Sequence, residues 1–332
     1  MNRRMCFLIL LALGLLYPTQ SLLARTLYVV TRSTKVFRLS KRDFPSVGLF
    51  STQDSGQTWE HYGWHYTKCF SGATRLVDGQ RVFYLACGNG VQKSPDGGEH
   101  WTLTTGSDIT ECLKVVVHPS DANVVYTASA YGIFKSTDGG ASWEEKNTGL
   151  ASTFTSAIIV DRETPSLLFC ATEAGVCRSK DAAEHWEPVG LLGLGVRTIV
   201  QHPAYPNLLA AGTEEDGVWL STDRGTSWHP ANAGLTHKTV YALAFAPQDD
   251  RTIYAGTFQG GVFKSEDAAA TWKSVNNGLR VLDIHAIVVD PDDKNTVYAG
   301  TLNDGVWQSR DGGAHWRFIG LETSQVWDMF FE

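Results

Sequence analysis

Aromatic rings set beside carboxylates make a surface suited to carbohydrate, and two carboxyl groups held about 5 to 9.5 Å apart are what a glycosidase requires. This chain carries both kinds of side chain in short polar segments: Trp64, His65 and Tyr66; Glu214, Glu215 and Asp216; Lys238; Asp283 and His285; and Asp304. Glu173, Asp108, Glu111 and Gln325 lie in comparable segments. The spacing joins no two of these acids into a catalytic pair, and solvated loop acids are the plainer reading. No catalytic residue is assigned; the ten residues of the first set are candidates for a binding face. A second candidate lies between Ser33 and Pro45, where Lys35, Arg38, Lys41 and Arg42 accompany Phe37 and Phe44 in an otherwise acidic chain. That segment reads as a docking loop for an acidic partner, or as an ordinary solvated hairpin.

These segments interrupt a repeat. Seven times the chain returns to the phrase Ser/Thr-x-Asp-x-Gly-x-x-Trp, from Thr52, Ser94, Ser136, Ser179, Ser221, Ser265 and Ser309. The aspartates Asp54, Asp96, Asp138, Asp181, Asp223, Asp267 and Asp311 lie 42 to 44 residues apart. That period, filled with short strand-like runs, predicts a β-propeller. In the sixth unit, residues 239–246, 252–257, 262–265 and 272–275 read as four antiparallel strands, which is one blade. In each phrase the Asp and Ser or Thr oxygens suit the turn amides, Gly suits a positive φ, and Trp offers a large ring to pack. Ala183 and Ala269 replace that Gly, so those two turns are expected to be strained or reshaped. The chain begins with a second-strand pattern, Thr26–Val30, and ends with an inner-strand pattern, Gln325–Phe331. The fold class expected is therefore all-β: one seven-bladed propeller over residues 25–332, sealed when the last strand completes the first blade.

The first 24 residues differ. Arg3 and Arg4 precede an apolar run from Cys6 to Tyr17, then a short polar segment up to Ala24. This is the order of a secretory signal peptide, and the run is short for a membrane span of about 20 residues. An exported protein, periplasmic or secreted, is expected, with no membrane span after cleavage. The net charge is −7, and removing Arg3 and Arg4 makes it more negative by two. An acidic balance disfavours nucleic acid as a partner. Nothing in the sequence calls for an oligomer, and a monomer is expected.

Five cysteines follow the signal: Cys69, Cys87, Cys112, Cys170 and Cys177. A two-residue turn at Glu173-Ala174 would set Cys170 against Cys177, and Cys69 opens a strand whose neighbour Cys87 closes. The second pair could thus also meet; whether either pair is bonded stays open, and the odd count leaves at least one cysteine unpaired. The histidines suggest no metal centre and the chain no cofactor. His100, His185 and His315 share one slot before the repeat Trp, filled elsewhere by Thr58, Ser142, Ser227 and Thr271, so they belong to different blades. His118 and His202 precede Pro in equivalent turns. His65, His237 and His285 are the stronger binding candidates.

The phrase and its register resemble the Asp-box, or BNR, repeat, over essentially the whole of residues 25–332. That repeat occurs in sialidases, two-propeller xyloglucanases, sortilin-type receptors and photosystem II assembly factors. The resemblance implies that the box residues are structural turns on the blade rim. The wording Val-Tyr-Ala-Gly-Thr with Gly-Val-Phe-Lys-Ser or Gly-Val-Trp-Gln-Ser is most similar to the xyloglucanase and sortilin-like repeats. The Arg-Ile-Pro segment of sialidases has no counterpart; Phe37-Arg38-Leu39 does not match it. Xyloglucanases place two acids in a cleft between two propellers, and one ring offers no second half. The function expected is a non-catalytic binding or assembly scaffold for a protein or glycan, with glycoside hydrolysis as the alternative.

Overall fold

The computed structural model describes residues 25–33, 47–63 and 68–332. The proposed signal, the segment with Lys35, Arg38, Lys41 and Arg42, and Trp64, His65 and Tyr66 lie outside the described residues. The strands form seven four-stranded antiparallel sheets, six of them in sequential order from the inside outward and the seventh with the last strand of the chain innermost, before the first three. We number these blades by their inner strands: Ser324–Phe331 in blade 1, then Cys69–Val77, Cys112–Val117, Thr155–Val160, Val196–Gln201, Val240–Phe245 and Ile284–Val289 in blades 2 to 7. Blade 6 continues with Ile253–Thr257, Gly261–Ser265 and Lys273–Ser274, close to the expected spans but with a shorter outer strand.

The C-terminal strand pairs antiparallel with Leu27–Ser33, placing Leu27 opposite Phe331 and Val30 opposite Asp328. The last strand thus joins the first blade as its innermost strand, as the two terminal patterns predicted, and covers the inner edge of Leu27–Ser33.

Each blade has two apolar faces and cannot cover either one alone. The buried side chains accordingly fall into seven clusters, one in each gap between neighbouring blades. The second strands are buried along their whole length, as in Val125–Ser129, Leu209–Thr213 and Val297–Thr301. Alternation fails there because both faces are covered.

The repeated phrase fastens the rim. In blade 3, Asp138 accepts from the Ser136 hydroxyl (2.8 Å), the Ser142 amide (2.8 Å) and the Ser142 hydroxyl (2.6 Å), while Ser136 Oγ accepts from the Gly140 amide (2.7 Å). His100, His185 and His315 make the same bond through Nδ1, at 2.6, 2.8 and 2.7 Å from their box carboxylates. They are turn residues, as their slot implied. Asp96, Glu99 and His100 are near enough to hold a cation, but Asp96 already serves this turn. Five box indoles donate to the preceding blade, among them Trp186 to Lys146 O (2.8 Å) and Trp59 to Ile319 O (3.0 Å), which crosses the closure seam. Ala183 and Ala269 have φ of 74° and 62° and still donate to Ser179 and Ser265. Those two turns are strained in the expected sense and keep their shape.

The boxes join third to fourth strands. The turns between second and third strands, and the links between blades, emerge at the other end of the ring, where the candidate residues were expected. Among the described residues no helix is long and apolar enough to cross a membrane.

Candidate binding site at the mouth of the central channel

At that end every inner strand carries the same irregularity. In blade 2, Cys69 pairs with Cys87 and Ser71 with Ala86, so Phe70 has no partner. The pairing slips identically at Leu113, Ser156, Arg197, Tyr241 and His285, and in blade 1 at Trp327. Such a β-bulge bends the strand and turns the extra side chain off its former course. Repeated seven times, it aims seven side chains at one place. All seven line the central channel, a cavity of about 570 Å³.

Four of them, from consecutive blades, touch in series. Tyr241 stacks on His285 (centroids 4.3 Å apart, planes at 26°), His285 meets Trp327 edge-on (5.0 Å), and Trp327 meets Phe70 edge-on (5.1 Å). Phe258, at a turn between second and third strands, extends the arc beyond Tyr241 at 6.2 Å. The Arg32 guanidinium lies over both Trp327 (5.2 Å) and Phe70 (5.5 Å), a cation–π arrangement that holds those rings in place. The rest of the mouth is Leu113, Ser156 and Arg197. Arg197 lies 6.0 Å from the Phe154 ring centroid and is bound to Glu214 at 2.6 Å.

The electrostatics are quiet. Burial, reinforced by the Arg32 charge, pushes the His285 imidazole down to about 4, so it is neutral at pH 7. Burial also raises the Tyr241 phenol. Lys68 pairs with Glu111 (3.2 Å) while lying over the Phe70 ring. Among the described residues lining the channel, one carboxylate occurs, Asp328. It accepts from Ser71 Oγ (2.7 Å), Lys114 Nζ (2.8 Å) and the Gly72 amide (3.3 Å).

The candidates read from the sequence divide. His285 is in the arc, and Glu214 reaches the mouth through Arg197. Asp283 accepts the Gln259 amide (2.9 Å) and caps a turn. Asp304 is paired with Arg280 (2.9 Å), which lies over Trp307 and Phe318 of its own blade, away from the channel. Glu215, Asp216 and Lys238 are exposed on the same end of the ring without lining the channel.

Sequence reasoning missed Phe70, Arg197, Tyr241, Trp327 and the pair Lys114–Asp328. The inner strands were read as plain alternation, which leaves no place for a bulge. The distance from the preceding box Asp to this position varies from 16 residues at Phe70 to 18 at Tyr241, so only the strand pairing shows that the seven residues are equivalent.

Neither a known family nor a curated protein matches the chain in sequence. Solved structures do match in shape. A GH74 enzyme from Niastella koreensis superposes with a TM-score of 0.68 at 13% identity, over 83% of this chain and 51% of that one. An ancestral GH74 enzyme gives 0.60 at 21% identity, over 76% of this chain and 36% of that one. YCF48 bound to a D1 peptide gives 0.57 at 19% identity, over 76% and 81%. The chain thus spans about a third to a half of those GH74 enzymes. What it shares with all three at such identities is the architecture of the propeller.

Proposed function

We propose that this propeller is an exported, non-catalytic Asp-box binding module that seats part of a protein or glycan ligand on the mouth of its channel. The observation that carries this reading is the arc Tyr241–His285–Trp327–Phe70, built by bulges at one position of four consecutive blades. Stacked rings around a concavity, with most neighbouring charges already paired, suit sugar faces or apolar side chains. The mouth has little to offer to hydrolysis. Glycoside cleavage uses two carboxyl groups, and the channel carboxylate Asp328 is committed to four donors, Ser71 Oγ, Lys114 Nζ and the Gly72 and Met329 amides. The GH74 likeness supports the hydrolase alternative only at the level of fold. The segment with Lys35, Arg38, Lys41 and Arg42 is a proposed second docking element, argued from sequence alone. Its replacement by four serines should weaken capture of an acidic partner.

The test uses the purified protein on a glycan array and in affinity capture, with Tyr241→Ala and Trp327→Ala beside a rim control, Leu103→Ala. Ligands lost in both mouth variants and kept by the control support the reading. Ligands retained by folded mouth variants, or turnover of an arrayed glycan, overturn it.

A further inference from the structure

One blade lacks a fastener that the other six share. At the end of the second strand, Thr31, Ser129, Thr172, Thr213, Thr257 and Thr301 are buried. Each donates its hydroxyl to the carbonyl of the glycine at or just before the start of the third strand, Gly48, Gly132, Gly175, Gly217, Gly261 or Gly305, at 2.9 to 3.3 Å. Blade 2 has Cys87 in this slot. Its Sγ lies 3.2 Å from Cys69 Sγ, and both residues are fully buried. Cys69 itself fills a slot held by Val196, Val240, Ile284 and Val326 in four other blades.

The backbone at this pair suits a bond. The Gly88 amide donates to Lys68 O (2.9 Å), which makes Cys69 and Cys87 a non-hydrogen-bonded pair of an antiparallel ladder. Such pairs have Cα atoms about 4.5 Å apart and side chains drawn together, within the range that a disulfide spans. We propose that Cys69 and Cys87 are a disulfide site, and that the cross-link takes the place of the missing hydroxyl fastener in blade 2. It would also fix the backbone one residue before Phe70, and so the end of the aromatic arc.

The oxidant is a low-molecular-weight disulfide. One cysteine, as thiolate, attacks it to give a mixed disulfide and releases one small thiol. The second cysteine displaces the other. Two cysteine thiols become one disulfide, the small disulfide becomes two thiols, and the two protons end on those thiols. Burial holds the Cys87 thiol well above its ordinary range, so the reaction belongs to the folding chain and not to the closed blade. Cys170 and Cys177 also lie opposite each other, but Thr172 in that blade keeps its hydroxyl bond to Gly175.

The test is refolding of the purified protein in a glutathione couple, alkylation under denaturing conditions, and peptide mapping. It depends neither on the compartment nor on any ligand of the mouth. A peptide joining Cys69 to Cys87 is expected, together with a Tm that falls by roughly 5 °C on reduction. In Cys69→Val/Cys87→Thr, which installs the residues other blades use, that redox dependence should vanish and the fold should persist. Folded wild-type protein with both cysteines alkylated, or a link to Cys112 instead, overturns the proposal.

Discussion

Asp328, on the last strand of the chain, is hydrogen-bonded at 2.8 Å to Lys114 of blade 3, with blade 2 between them. The same carboxylate takes Ser71 Oγ of blade 2. The strand that closes the ring is thus tied across the channel to the next two blades as well as to its own sheet. Both side chains are largely withdrawn from water, 15% and 31% exposed, so truncating one strands the other. Asp328→Ala should cost about 1–3 kcal/mol, and Asp328→Asn less, because it keeps an acceptor for Ser71. In a double-mutant cycle with Lys114→Ala, thermal unfolding should return a coupling above about 1 kcal/mol. Additive losses would mean that the pair does not support closure.

His285 makes the mouth sensitive to acid. Its folded value of about 4 lies below the ordinary 6.5. The unfolded chain therefore takes up the proton first as pH falls. The stability from the neutral, stacked ring is fully present above about 6.5 and is lost as pH drops toward 4. His285→Phe keeps a ring between Tyr241 and Trp327 and removes the titration. Denaturant unfolding from pH 7 to 4 should show a flatter stability profile for the variant, the difference reaching at most about 3 kcal/mol. Parallel profiles for the two proteins would refute this.

The seven box aspartates act at lower pH. Hydrogen bonds from the turn hold Asp54, Asp96, Asp138, Asp181, Asp223, Asp267 and Asp311 at about 2, below the ordinary 3.8. For a lowered carboxylate the stabilisation is present above the unfolded value and disappears as pH falls through the folded one. Acid loss from the rim should therefore fall between pH 4 and 2, separate from the window of His285. Asp138→Asn keeps one amide oxygen for the turn and loses the charge. Near-ultraviolet circular dichroism should show it losing less of its remaining stability than wild type over that range.

The fold was legible because its signals were local and repeated. A turn phrase at a fixed period, with Asp138 and Trp143 in their slots, states the blade seven times. The strand patterns of Thr26–Val30 and Gln325–Phe331 state how the ring closes. The mouth was less legible because a bulge leaves no local mark: Val240-Tyr241-Ala242 reads as an ordinary strand until its pairing is known. Tyr241, Trp327 and Phe70 become one feature only when residues far apart in sequence are brought around a common axis. His285 was named as a candidate in a link between blades, and the structure places it on the inner strand Ile284–Val289. The position of Asp304 in a turn gave no sign of Arg280 beside it.

The links between blades set where the inner strands enter the mouth, and Gly149 shows how tightly. Its φ is 86°, and a Cβ there would lie 2.1 Å from the Trp186 carbonyl oxygen. The Trp186 amide meanwhile donates to Thr148 O at 2.8 Å, and Asn147 Oδ1 accepts from the Ile133 amide at 2.8 Å. The link is clamped on both sides and has nowhere to shift. Gly79 supplies the contrast: its φ is 80°, but no atom lies within 4 Å of an added Cβ. Gly79→Ala should cost only the conformational term, about 1 kcal/mol. Gly149→Ala adds a backbone collision and should cost several times more. Equal losses for the two variants in chemical denaturation would mean that the link is free to move, and that the entry to blade 4, with Phe154 and Ser156 on it, is not fixed by this contact.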